Sequence, residues 1–85
     1  MPSVPAILTR HGFEIVYGTD PDRAGAFLEL GRRSAAGWEV LAEVFSPEAS
    51  GSFTLSMDGE LPADVVQAFI EYGRTRLAEP GRGAA

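Results

Sequence analysis

Residues 38–45, Trp-Glu-Val-Leu-Ala-Glu-Val-Phe, send Trp38, Val40, Ala42 and Val44 to one side and Glu39, Leu41, Glu43 and Phe45 to the other. That two-residue period belongs to a β-strand. Residues 52–57 repeat it, with Phe53, Leu55 and Met57 alternating against Ser52, Thr54 and Ser56, and the six residues between hold Ser, Pro and Gly. Two alternating runs joined by turn residues read as a hairpin. A hairpin with one apolar side cannot stand alone in water, so the rest of the chain must supply more strands and a covering layer.

The covering layer is written at residues 61–77. Leu61 and Pro62 precede Ala63 and Asp64, so the proline sits where its missing amide hydrogen costs nothing and the acid sits beside the positive end of a helix dipole. Val65, Val66, Phe69, Ile70, Gly73 and Leu77 then form an amphipathic stripe, and Arg74 and Arg76 fall in the last turns, where cations suit the negative end of the dipole.

Residues 13–17 alternate Phe13, Ile15 and Tyr17 against Glu14 and Val16 and form a strand that can begin as early as Ile7, while Gly18 to Asp22 carry the Asp and Pro of a turn. The next stretch has two readings. Residues 26–30 can be a second strand closed by a turn at 34–37. Alternatively, Asp20 and Pro21 start a helix that Gly37 stops, with Gly25 and Gly31 each costing it about 1 kcal/mol relative to Ala. The strand is preferred. The expected fold is therefore α+β: a four-stranded antiparallel β-meander followed by one C-terminal amphipathic helix (ββββα). The alternative is βαββα with residues 20–37 helical. A single domain is expected over residues 6–78, with a loose tail at 1–5 and a disordered tail at 79–85, since 85 residues leave room for one core.

Composition excludes several chemistries. The chain has no Cys and one His, which removes thiol catalysis, thiolate metal sites and paired-histidine sites within one chain. His11 precedes Gly12 in a turn, where an exposed imidazole is the plain reading. Asp20-Pro21-Asp22 lacks the further oxygen ligands of a calcium loop. No catalytic residue, metal ligand or cofactor is expected, and the chain is read as not an enzyme. No basic stretch followed by an apolar run marks the N-terminus, and no apolar run approaches the roughly 20 residues that cross a bilayer, so no membrane role and a cytoplasmic location are expected. All seven cations are Arg, and with twelve Ala and ten Gly this suggests a GC-rich bacterial genome.

Surface arguments narrow the function. A 17-residue helix about 25 Å long and about 10 Å wide cannot cover four strands spanning about 19 Å. The uncovered half, expected to hold Trp38 and the aromatics of the first strand, calls for a homodimer. On the opposite side the register collects Glu14, Glu29, Glu39 and Glu43 around Leu41 and Phe45, with Val16 and Phe27 among them. An outward Glu also simply keeps a sheet soluble. With a net charge of −5, the partner expected is a protein, and a basic one. A small non-enzymatic protein-interaction module is the reading, and inhibitor, immunity-like and regulatory roles all fit. Two alternatives belong to other classes. One is a dimeric regulator binding single-stranded nucleic acid, which the carboxylates oppose. The other is a small-molecule binder with a pocket around Trp38, Tyr17 and Tyr72.

Overall fold

A computed structural model describes residues 4–47 and 52–77. The elements run α1 (Ala6–Arg10), β1 (Glu14–Asp20), β2 (Gly25–Ser34), β3 (Gly37–Pro47), β4 (Thr54–Met57) and α2 (Ala63–Leu77). The four strands form one antiparallel sheet in the order β1-β2-β3-β4, and α2 follows it. Residues 25–34 are strand, so the helical alternative for 20–37 falls. The expected meander and its C-terminal helix are the observed architecture.

One element was not foreseen. Ile7, expected at an early start of the first strand, lies in the short helix α1. Gly12, at φ +79°, ends it: Phe13 N–H donates to the Leu8 carbonyl at 2.9 Å and Gly12 N–H to the Thr9 carbonyl at 2.9 Å. Paired bonds of this kind across a left-handed glycine close a helix end and bring the flanking apolar residues together. Leu8 and Phe13 are those residues, and both are buried. Beyond the expected turn start at Gly18, β1 runs on to Asp20, whose carboxylate accepts from the Asp22 amide at 3.0 Å and so opens the turn at residues 21–24.

The core lies between the sheet and the two helices. Leu28 and Leu30 of β2, Val44 of β3, Leu8 of α1 and Val65 of α2 are fully buried, and Phe69, Tyr72 and Leu77 complete the helical side. Gly73 of α2 faces β3, where an added Cβ would stand 3.4 Å from Val44, an ordinary contact. The antiparallel register sets the helix-facing rows: Tyr17, Leu28, Val44 and Leu55 in one, Ile15, Leu30, Ala42 and Met57 in the next.

The register also breaks once. Leu30 pairs with Ala42, but Gly31 pairs with Val40, so Leu41 is an extra residue in β3. A bulge of one residue exchanges the sides of everything beyond it. Three expectations change as a result. Trp38 and Val40, read as inward, stand on the side away from the helices. Glu39, read as part of the outward acidic group, pairs with Arg32 on the helix side, 3.0 Å from its Nε. Leu41, also read as outward, packs half-buried against the core.

Candidate interaction surface

The side of the sheet away from the helices, called here the outer face, is built in rows. Val16, Glu29, Glu43 and Ser56 form one, Gly18, Phe27, Phe45 and Thr54 the next, and Glu14, Gly31 and Val40 a third. Of the residues expected to bind a partner, the structure brings Glu14, Glu29, Glu43 and Phe45 together here and takes Glu39 and Leu41 away. The bulge adds Trp38 and Val40.

Three aromatic rings cover this face by lying across glycines. A Cβ on Gly18 would meet Phe27 at 2.6 Å, one on Gly25 would meet Phe45 at 2.6 Å, and one on Gly31 would meet Trp38 at 2.7 Å. Each glycine provides the flat backbone on which a neighbouring ring rests, so the face is partly sealed without a third layer. Phe45 is buried in this way, while Phe27 and Trp38 are half-buried.

Charge is laid over the rings. Arg23 extends from the β1–β2 turn across Phe45, its guanidinium carbon 4.1 Å from the ring centroid. It donates twice to Glu43, at 3.0 and 2.9 Å, and through Nε to Asp20 at 2.6 Å. A planar guanidinium suits this fork and stack together. Its hydrogen bond holds the Asp20 carboxyl below the ordinary carboxylate range, outweighing the desolvation that pulls the other way, and the amides of Arg23 and Asp22 add to it. Glu43, then Asp20, in turn raise the Arg23 pKa.

At the far end Arg33 lies over Trp38, 5.6 Å from the ring centroid, with its Nε 3.4 Å from Glu14. Between the two arginines Glu29 stands directly opposite Glu43. Like charges in that position repel. Trp38 Nε1–H donates to Glu29 Oε1 at 3.1 Å and Arg23 takes Glu43, so both carboxylates are anchored. The face is thus an alternation of rings, carboxylates and two guanidiniums; the expected group of carboxylates around apolar side chains did not include Arg23, Arg33 or Trp38.

Other expected sites are not assembled. Tyr72 is in the core, Tyr17 lies at the β1 edge with Arg76 4.3 Å from its ring centroid, and Trp38 is on the outer face, so these three line no common pocket. His11 is exposed, stacked on Phe13 at 5.8 Å. Among the described residues no group of three or more His, Asp or Glu is placed to hold a metal ion, and no helix is long and apolar enough to cross a membrane. A shallow depression of about 170 Å³ lies beside the bulge, lined by Val40, Leu41, Ala42, Glu43, Ser56, Met57 and Asp58. The tail expected at 79–85 lies outside the described residues.

No known family model matches this chain, and neither the curated proteins nor the solved structures give a significant match.

Proposed function

We propose that this chain is a non-enzymatic protein-interaction module of the inhibitor, immunity or regulatory kind, acting in the cytoplasm as a homodimer, whose outer face holds a basic protein. The observation that carries this reading is the opposed pair Glu29 and Glu43, set among Phe27, Phe45 and Trp38 on a side that no other element of the described chain covers. Arg23 already stacks on one of these rings while its edge meets two carboxylates, and an arginine presented by a partner would find the same chemistry at Phe27 and Glu29. Charge of this kind selects partners and speeds their encounter more than it adds affinity. The same carboxylates repel phosphate, which disfavours a nucleic acid on this face.

Affinity capture from the host's own lysate, with the bound protein identified by mass spectrometry, tests the proposal. A protein with a basic surface should be retained by the wild type and by Glu39→Gln, whose carboxylate lies on the helix side, and lost with Glu29→Gln/Glu43→Gln at an unchanged circular dichroism spectrum. Equal capture by the wild type and the double variant would remove the outer face from consideration.

A further inference from the structure

The helices leave one strip of the sheet bare. α2 packs on β2 and β3, and α1 packs on α2. The helix-facing side chains of β4 stay open, with Leu55 38% and Met57 47% exposed. β4 is also an edge: among the described residues it pairs with β3 alone, and no other strand of theirs lies along its far side. Edge strands of this sort invite another strand unless charge, proline or a bulge blunts them.

β4 is short, at four residues, but it carries no charge, proline or bulge of its own. Its four residues, Thr54, Leu55, Ser56 and Met57, include no ionisable side chain and no proline, and its pairing with β3 is regular. Every other strand carries ionisable groups: Glu14 and Asp20 on β1, Glu29, Arg32 and Arg33 on β2, Glu39 and Glu43 on β3. The opposite edge, β1, is guarded by Glu14, Asp20 and the Arg76 guanidinium over Tyr17. In a chain of net charge −5, two copies repel each other wherever acidic surfaces meet. The β4 edge is the strand along which they can meet without facing like charges.

We infer that two copies of this chain pair antiparallel through β4, making one continuous eight-stranded sheet and burying Leu55 and Met57 of each copy against those of the other. A two-fold axis through the middle of β4 makes the contact self-complementary, as closed dimers require. The backbone bonds form between the two β4 edges on the axis, the apolar side chains meet beneath the extended sheet on the helix side, and both outer faces remain free for partners.

Two measurements test this. Light scattering should give twice the 9.0 kDa of one chain and should not change in high salt, because the contact is apolar and backbone-mediated. Leu55→Lys/Met57→Lys alters two exposed positions and so spares the core, and it should weaken self-association roughly 100-fold or more by placing unpaired charge in the contact. The native chain has no Cys, so introduced cysteines report the axis directly. A two-fold axis at the strand centre brings either residue 55 or residue 56 against its own copy, within disulfide reach. One of Leu55→Cys and Ser56→Cys should oxidise to a covalent dimer, and Val16→Cys on β1 should not. A monomeric wild type, a dimer indifferent to the two lysines, or cross-linking at residue 16 in place of 55 and 56 would overturn the inference. A monomer that still captured a basic partner would do so while leaving the outer-face proposal standing.

Discussion

Arg23 holds three groups from one position in a turn: the Asp20 carboxylate that opens the turn, the Glu43 carboxylate two strands away, and the face of Phe45 between them. Because Asp20 is more acidic in the folded protein than in the unfolded chain, its contribution to stability is complete above the unfolded value of about 3.9 and disappears as pH falls through the lower folded value. Replacing Arg23 with Met should therefore lower the melting temperature by a constant margin at neutral pH, and that margin should shrink below about pH 4. Melting curves of both proteins across the acid range check this. A margin that stays the same down to strong acid would mean that the guanidinium acts on Phe45 packing alone. The three glycines under the rings act at the same scale, since each would place a Cβ inside van der Waals contact of an aromatic carbon.

At the level of elements, α2 and β3 show what a residue pattern conveys and what it hides. α2 is legible because Pro62, Asp64 and the stripe from Val65 to Leu77 all give the same answer, and the structure places it at Ala63–Leu77. Gly73 is the exception inside it. Its closest neighbour to an added Cβ is Val44 at 3.4 Å, an ordinary contact, so Gly73→Ala should raise stability by about 0.5–1 kcal/mol through reduced chain entropy in the unfolded state. Urea denaturation would reveal the gain, and a loss would mean that α2 cannot lift from β3. β1, β4 and the second half of β3 were legible from their alternation, whereas residues 26–30 fitted a strand or a helix and only the structure decides for β2. The bulge was not legible: Val40, Leu41 and Ala42 are all apolar, so an extra residue among them leaves no trace in the pattern, and Glu39, Leu41 and Trp38 were assigned to the wrong sides. α1 escaped notice for another reason. Five residues starting after Pro5, with no side-chain cap, are too few to display a helical period.

For the molecule as a whole, one apolar cluster joins every layer, from Leu8 in α1 through Leu28 and Val44 to Phe69 in α2. The short first helix is thus part of the same cooperative unit as the sheet, and Leu8→Ala should cost about 2–5 kcal/mol, as other buried leucine truncations do. A single denaturation transition moved to lower urea is the outcome that fits. A separate early transition would show α1 melting independently of the rest. With the cluster covering β2 and β3 on one side of the sheet, two surfaces remain, and the proposed tasks divide between them: the uncharged edge at β4 for a second copy, and the mixed face of rings and carboxylates for a different protein. Leu41 has one more effect on that division. By turning the start of β3 over, it moves the only indole in the chain out of the core and onto the outer face, hydrogen-bonded to Glu29 over Gly31. The protein therefore carries its own optical reporter of one side. Its ultraviolet emission should change when a protein covers the outer face and stay constant when α2 alone is loosened.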